Sequence, residues 1–124
     1  MARNILIADN EANLLMSLEY LMQRQGFGVS LARDGLEAMT AIRRQAPDLV
    51  IVDAAMPGQS GFEICQQVRA DPRLRAMPIV MLSAKARATD IAKGRAMGAD
   101  AYVVKPFSTN ELVDQVCNLL DQGR

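Results

Sequence analysis

The chain contains no histidine and no tryptophan among its 124 residues. Without an imidazole, neither a Ser-His-Asp triad nor a Cys-His pair can form, and the side chain that most often binds metals is missing. The two cysteines, Cys65 and Cys117, stand far apart in the sequence. We therefore expect two buried free thiols, and neither a zinc site nor a disulfide framework.

Net charge and long apolar segments are absent as well. The 14 basic residues balance the 14 acidic ones, so the chain has no positive field that would attract nucleic acid or acidic lipid. Its apolar runs are far shorter than the ~20 residues that cross a bilayer, and its first residues lack the apolar stretch of a signal peptide. We therefore expect a cytoplasmic protein that binds no nucleic acid directly and does not insert into a membrane.

What remains is the composition of a globular domain, with 50% hydrophobic and 23% charged residues. The length is typical of one domain and no linker or repeat divides it, so we expect a single domain over residues 1–124. Because the sequence ends soon after its last helical segment, we expect no DNA-binding or enzymatic effector domain within these residues. The protein therefore either acts alone or is part of a longer one.

Short apolar runs predict the β-strands. Four of them are continuous and cover residues 5–8, 49–52, 79–82 and 102–104. Continuous runs are typical of strands that are covered on both faces, as in a parallel sheet between two helical layers. A weaker run over residues 27–31 alternates apolar with small or polar residues, which favours an edge strand.

Apolar residues at helical spacing lie between the strands and after the last one. The first set is Leu14, Leu15, Leu18, Leu21 and Met22, the second is Leu36, Met39 and Ile42, and the last is Leu112, Val113, Val116, Leu119 and Leu120. Ser60 with Glu63, and Ser108 with Glu111, have the spacing of capping boxes at helix starts. Strand and helix thus alternate five times, which predicts an α/β fold with a doubly wound parallel sheet.

The fourth helical segment is the weakest. Ile91 is its only large interior apolar residue, and Gly94 costs a helix about 1 kcal/mol relative to alanine. We expect it to be the least stable element. Its basic residues Arg87, Lys93 and Arg95 form either a solvated face or a docking patch.

Polar residues directly follow four of the predicted strands. Asp9 and Asn10 follow the first, Asp53 the third, Ser83 the fourth and Lys105 the fifth. Because the carboxyl ends of parallel strands meet at one edge of a sheet, these side chains are expected to lie close together. Carboxylate and amide oxygens suit Mg²⁺, and a lysine can hold a phosphoryl oxygen.

These residues belong to a wider resemblance. From Arg3 to the last helix, the chain is similar to the receiver domains of two-component response regulators. The specific pieces are Asp53 followed by Met56-Pro57-Gly58 and Gly61, the segment Met81-Leu82-Ser83-Ala84, and Lys105-Pro106-Phe107. The resemblance implies a flavodoxin-like sandwich whose strands have the order 2-1-3-4-5, and a cis peptide bond before Pro106.

The resemblance also implies the chemistry. Asp53 would be the phosphoacceptor and would take a phosphoryl group from a sensor histidine kinase or a phosphotransfer protein. Mg²⁺ would be held by Asp9, Asn10, Asp53 and the backbone carbonyl of Ala55, while Lys105 would neutralise charge in the transition state. Such a module promotes only its own phosphorylation and dephosphorylation, so we do not expect a conventional enzyme.

A switch is implied as well. The Ser83 hydroxyl would move to the new phosphoryl group, and the ring of Tyr102 would turn inward. This would reshape the face made by the fourth helix, fifth strand and fifth helix, where an unknown downstream protein would bind and where receivers often pair on activation. Tyr102 can also be explained as ordinary strand packing.

One position departs from the family pattern. Receivers normally carry two acidic residues after the first strand, whereas here Asn10 follows Asp9. A carboxamide can coordinate Mg²⁺ but carries no charge, so we expect weaker metal binding. Asn10 is also a favourable N-cap residue, and its role can be to cap the first helix. The alternative function is a pseudo-receiver, an interaction module that phosphorylation does not regulate because of Asn10.

Two further positions influence how water reaches the acyl phosphate in this family. They are Ala55, two residues after Asp53, and Lys85, two residues after Ser83. Ala55 cannot orient a water molecule, and Lys85 can shield the phosphoryl group. We therefore expect slow self-hydrolysis.

Overall fold

Five β-strands and five α-helices alternate in the computed structural model, which describes residues 3–122. The strands are β1 (Asn4–Ala8), β2 (Gly28–Ala32), β3 (Leu49–Asp53), β4 (Ile79–Ser83) and β5 (Ala101–Val104). The helices are α1 (Ala12–Arg24), α2 (Gly35–Arg44), α3 (Gly61–Ala70), α4 (Ala88–Ala96) and α5 (Thr109–Gln122). The alternation predicted from apolar periodicity is therefore confirmed.

The strands form one parallel sheet in the order β2-β1-β3-β4-β5, which confirms the predicted fold class. The central strands β3 and β4 are buried along their whole length, as continuous apolar runs predict. β2 lies at one edge, in agreement with its alternating pattern. β5 forms the other edge, and its residues Tyr102 and Val104 are only partly buried. The expectation that both faces of this last strand are covered is therefore wrong.

Alternate strand residues face opposite sides of the sheet and build two apolar layers. Leu6 and Val52 belong to the layer that packs against α2 and α3. Ile7 and Ile51 belong to the layer that packs against α1 and α5. Both faces of the sheet thus pack against helices, less completely at β5, and the carboxyl ends of the strands are left open.

Local sequence signals set the helix boundaries. At the start of α3, Ser60 Oγ accepts a hydrogen bond from the Glu63 amide at 3.2 Å, and Glu63 Oε1 accepts one from the Ser60 amide at 3.0 Å. This capping box is complete, as predicted. At α5, Ser108 Oγ accepts from the Glu111 amide at 3.0 Å. None of the helices within residues 3–122 is long and apolar enough to cross a membrane.

Some apolar residues assigned to helix interiors lie outside the core. Leu36 in α2 is 65% exposed, and Ile91 in α4 is only partly buried. The one buried residue of α4 is Gly94, whose Cα lies so close to the ring of Tyr102 that an added Cβ would be 2.6 Å from Cδ2. A small residue is therefore required where α4 meets β5.

The two thiols differ in burial. Cys65 is fully buried, and burial raises the pKa of its thiol to about 11. Cys117 is partly exposed, so the expectation of two buried thiols is wrong for this residue. It lies in α5 beyond Val116, which occupies the buried position of that turn.

Gly61 allows α3 to start against the end of β3. Its amide donates to the carbonyl of Ala54 at 3.0 Å, and a Cβ here would lie 2.6 Å from the carbonyl oxygen of Asp53. We expect Gly61→Ala to displace α3 and to lower the free energy of unfolding by about 1–3 kcal/mol, as in other overpacked sites. Urea denaturation measures this change.

Gly28→Ala is the matched control, because the Cβ added there meets the end of the Asn4 side chain, which can move. We expect a much smaller loss for this variant. If both variants lost the same free energy of unfolding, the close contact between α3 and the Asp53 carbonyl would not be what makes Gly61 necessary.

Candidate functional site

Three charged side chains meet at the carboxyl edge of the sheet. Lys105 Nζ donates to Asp9 Oδ2 at 3.1 Å and to Asp53 Oδ2 at 3.2 Å. Asp9 is fully buried, and the side chain of Asp53 is 11% exposed. One ammonium group therefore serves two nearly buried carboxylates, which come from β3 and from the residue that follows β1.

The backbone places Lys105 at this position. Its amide donates to the carbonyl of Ser83 at 2.8 Å, so the chain after β5 is fixed to the end of β4. The peptide bond between Lys105 and Pro106 is cis, as the resemblance implies. From there the lysine side chain extends past the end of β4 to reach both carboxylates.

The second oxygen of each carboxylate accepts a backbone amide. Asp9 Oδ1 accepts from Glu11 at 2.9 Å, and Asp53 Oδ1 accepts from Ala55 at 3.1 Å. Each carboxylate is thus held between the ammonium group and a local turn. Both carboxyl planes are thereby fixed in orientation before any ligand binds.

The environment of Lys105 favours its charged form. Burial by itself lowers the pKa of the ammonium group, but the hydrogen bond from Lys105 to Asp9 and the charge of Asp53 outweigh it. The net result is a pKa above the ordinary value for lysine. The ammonium group therefore remains available to neutralise an incoming anion.

A cavity of about 220 Å³ opens beside Asp53. It is lined by Asp53, Ala54, Ala55, Phe62, Ser83, Ala84, Lys85 and Lys105. An anion placed here would contact the carboxylate of Asp53 and would have cationic groups around it. The dimensions and charge suit a group such as a phosphoryl moiety.

The loop after β4 links Ser83 to Tyr102. Ser83 is buried, and its Oγ accepts from the Lys85 amide at 3.1 Å. The Tyr102 hydroxyl donates to the Lys85 carbonyl at 2.9 Å. The backbone of Lys85 therefore connects the two residues expected to take part in a switch.

Asn10 is exposed and makes no hydrogen bond through its side chain in the described part of the chain. The N-cap of α1 is Glu11, which forms no side-chain cap, so the interpretation of Asn10 as a capping residue is wrong. The reason is that the Asp9 carboxylate, not Asn10, accepts the Glu11 amide and sets the turn into α1.

The oxygen atoms of this site are the type of ligand that a magnesium ion prefers. Two carboxylates and the nearby backbone of Ala55 are hard donors, and no sulfur or imidazole competes with them within the site. With Asn10 in place of a carboxylate, residues 3–122 contain no group of three acidic, cysteine or histidine side chains that would hold a metal. The donor set therefore suits Mg²⁺ but has less negative charge than a three-carboxylate site.

Sequence reasoning missed Phe62 and its contact with Lys93 near the cavity. Phe62 lines it, and Lys93 of α4 lies over the Phe62 ring with Nζ 4.7 Å from the ring centroid. Lys93 is exposed, in agreement with a solvated helix face, and its ammonium group also contacts the Phe62 ring. Nothing in the sequence pairs these positions, because the contact joins two different helices.

The chain resembles known proteins over most of its length. The sequence profile described as "Response regulator receiver domain" matches residues 5–117. The DNA-binding response regulators MtrA of Mycobacterium tuberculosis and Mycobacterium leprae are 40% identical to it over 116 residues, which is 94% of this chain. That region is 50% of each relative, so the chain spans about half the length of these curated relatives.

Solved structures of response regulators have the same fold as this chain. A putative response regulator from Chloroflexus aurantiacus superposes with a TM-score of 0.93 at 34% identity, covering 98% of this chain and 99% of that one. The chemotaxis response regulator CheY4 of Vibrio cholerae superposes with a TM-score of 0.90 at 28% identity, covering 96% of this chain and 99% of that one.

The shared ammonium group has a consequence for stability. In Lys105→Met, Asp9 and Asp53 face each other without a counter-charge, and breaking a buried ion pair is strongly destabilising. We expect the free energy of unfolding to fall by roughly 2–3 kcal/mol, less than for fully buried pairs because Lys105 is partly exposed. Urea denaturation at neutral pH measures the loss.

Lys85→Met is the matched control, because this second cavity lysine is exposed, and its stability should change by less than about 0.5 kcal/mol. Adding Asp9→Asn to Lys105→Met should recover part of the loss, since only one carboxylate then remains. A double variant no more stable than Lys105→Met would contradict this interpretation.

Proposed function

The chain belongs to the family of response regulator receiver domains, and on that premise we propose that it accepts a phosphoryl group on Asp53 from a sensor histidine kinase or a phosphotransfer protein. The observation that carries the proposal is the Asp53 carboxylate at the cavity wall, with Lys105 Nζ 3.2 Å from its Oδ2. The family consists of signalling modules, not of conventional enzymes. We propose that this module uses catalysis only to gain and to lose its own phosphoryl group.

In the proposed transfer, an oxygen of Asp53 attacks the phosphorus of a phosphohistidine. The bond from phosphorus to the imidazole nitrogen breaks, and the imidazole leaves with its electron pair and takes up a proton. Lys105 moves from pairing with Asp53 to pairing with a phosphoryl oxygen, because its charge is retained and its position is fixed by Asp9. Family members typically bind Mg²⁺ at this site, where it supplies positive charge to the phosphoryl oxygens.

We assign the metal ligands in the same way. Asp9, Asp53 and the Ala55 carbonyl would hold the ion, and the Asn10 carboxamide would complete the protein ligands. This assignment is supported by the burial of both carboxylates and by their fixed orientation. The exposed position of Asn10 leaves its oxygen free to turn toward an ion.

A donor protein must bring its phosphohistidine to the cavity. Ala84 and Lys105, which line the cavity, also line an apolar groove of about 740 Å³ between α1 and the start of α5. Its apolar walls include Leu14, Leu21 and Phe107. We propose that the kinase or phosphotransfer protein contacts this groove, since a protein bound there would lie next to Asp53.

Phosphorylation would then change a second surface of the domain. The Ser83 hydroxyl would leave the Lys85 amide to bond a phosphoryl oxygen, and the Lys85 carbonyl is bonded to Tyr102. We propose that this path alters the face made by α4, β5 and α5, where a downstream protein binds or a second receiver pairs. The relatives named MtrA are DNA-binding proteins, and we propose that residues 1–124 correspond to a single cytoplasmic receiver domain of such a system.

The phosphoryl group is expected to be long-lived. Ala55 and Lys85 both line the cavity, and neither offers a carboxylate or an amide that would orient a hydrolytic water. The exposed Lys85 side chain is close enough to shield the phosphoryl oxygens. We therefore propose slow self-hydrolysis.

A pseudo-receiver is the second candidate function, and the single observation in its favour is Asn10. If the lost carboxylate abolishes metal binding, the fold serves as an interaction module without phosphorylation. Acceptance of a phosphoryl group in the presence of Mg²⁺ distinguishes the two functions.

Incubation with a small phosphodonor tests the main proposal. We expect intact-mass spectrometry to show the gain of one phosphoryl group by the wild type with Mg²⁺, and none when Mg²⁺ is chelated. Asp53→Asn should gain none, because the nucleophilic oxygen pair is lost. Asp114→Asn, which changes an exposed carboxylate on α5, is the matched control and should behave like the wild type. No mass gain by the wild type at high Mg²⁺ would favour the pseudo-receiver instead.

Asn10→Asp restores the usual charge of the family. A unit charge about 4 Å from another is worth roughly 4 kcal/mol at an effective dielectric of 20, before the cost of desolvation is subtracted. We expect the variant to bind Mg²⁺ at least about tenfold more tightly than the wild type. Titration followed by calorimetry or tyrosine fluorescence measures the two affinities.

Asn13→Asp adds the same charge three residues later, at an exposed position in the first turn of α1, and should change the affinity far less. Equal affinities for wild type and Asn10→Asp would show that Asn10 does not face the metal.

A further inference from the structure

The wall of the cavity beside Asp53 contains one bulky apolar side chain, Phe62. The other apolar residues on the wall are Ala54, Ala55 and Ala84, each of which has only a methyl group as its side chain. Phe62 is the second residue of α3 and is partly buried against the core. The position of its ring therefore decides how open this side of the cavity is to solvent.

Lys93 holds this ring from outside. Its Nζ lies 4.7 Å from the ring centroid, well within the range of a cation–π interaction. Within residues 3–122 Lys93 forms no ion pair with a carboxylate, so the ring is the partner of its ammonium group. Because Lys93 belongs to α4 and Phe62 to α3, the contact joins two helices beside the cavity.

The contact also matters for α4 itself. This helix buries only Gly94, so few apolar contacts attach it to the sheet. Lys93 contacts the Phe62 ring, and Gly94 lies against the Tyr102 ring. Loss of the first contact would remove a link between α4 and α3.

We propose that Lys93 and Phe62 form a clasp between α4 and α3 that keeps bulk water out of the cavity, which makes Lys93 a positioning residue for the lifetime of the phosphoryl group. The proposal rests on the proposed function, because it concerns hydrolysis of phosphorylated Asp53. In that step a water oxygen attacks phosphorus, the bond from phosphorus to the Asp53 oxygen breaks, and Asp53 returns as a carboxylate. Inorganic phosphate leaves with the oxygen of the water, whose protons pass to the phosphate and to solvent.

Removing the contact between Lys93 and Phe62 should shorten the lifetime of the phosphoryl group on Asp53. A cation–π contact at an exposed site corresponds to about a two- to fivefold change in an equilibrium. We therefore expect Lys93→Met, which keeps the length of the side chain without its charge, to lose the phosphoryl group about two- to fivefold faster than the wild type. Phe62→Leu should show a similar increase. Loss of the phosphoryl mass with time, after the donor is removed, gives the rate.

Three further variants separate the clasp from general effects. Lys93→Arg keeps a cation over the ring and should restore the wild-type rate. Arg95→Met removes an exposed cation of the same helix that touches no ring or carboxylate in the described part of the chain, and should leave the rate unchanged. The double variant Phe62→Leu with Lys93→Met should be no faster than either single variant, because both remove the same contact.

Two readouts on the unphosphorylated protein make the clasp testable independently of phosphorylation. The ring current of Phe62 should shift the ε-methylene protons of Lys93 upfield in the wild type but not in Phe62→Leu. The amides of Ala55 and Lys85, which are bonded to side chains at the cavity edge, should exchange faster with solvent in Lys93→Met than in Arg95→Met. If Asp53 accepts no phosphoryl group while both readouts hold, the proposed function fails and the clasp stands.

Other results would overturn the clasp. Equal hydrolysis and equal amide exchange for Lys93→Met and Arg95→Met would show that Lys93 does not control the cavity. Additive effects of the two single variants would show that they act separately. Thermal unfolding of each variant identifies a loss of fold, and Lys93→Met decides the question if Phe62→Leu is destabilised, because Lys93 is on the surface.

Discussion

A single ammonium group between two buried carboxylates is the interaction on which the site depends. Asp9 and Asp53 repel each other in a region of low dielectric, and Lys105 compensates both charges at once. The arrangement requires β1, β3 and β5 to end at the same edge, with β4 between the last two. The parallel order of the sheet supplies this geometry, and the bond from the Lys105 amide to the Ser83 carbonyl fixes it.

The strands and the charged residues at their ends could be predicted from the sequence, because the signals for them are local. Continuous apolar runs reflect burial on both faces, and the polar residue after each run marks the strand end. The order of the strands came from the resemblance to receivers, since apolar periodicity does not say which strands are neighbours. β5 shows the limit of the pattern: its run Tyr102, Val103 and Val104 is as apolar as a central strand, yet two of these residues are only partly buried at the sheet edge.

Three features of the structure could not be predicted from the sequence. Asn10 has the right identity for an N-cap, but α1 begins later because the Asp9 carboxylate accepts the Glu11 amide. Cys117 follows a buried valine on α5 and is therefore turned partly to solvent. The pairing of Phe62 with Lys93 depends on how α3 and α4 pack, which neither helix encodes alone. The sequence thus predicted the charged residues of the candidate site but not Phe62 in its apolar wall.

The proposed switch depends both on the poor packing of α4 and on the hydrogen bonds to the backbone of Lys85. A helix that buries one glycine loses little apolar contact when it moves, since burial stabilises by about 25 cal/mol per Å². A single hydrogen bond contributes only about 1 kcal/mol, which is too little to displace a well-packed helix. In the proposed switch the Ser83 hydroxyl would exchange the Lys85 amide for a charged phosphoryl oxygen, and a hydrogen bond to a charged group contributes about 1.5–3 kcal/mol. A change of this size would reposition only an element held as lightly as α4, so in the proposed switch the poor packing of this helix would let phosphorylation of Asp53 alter the surface.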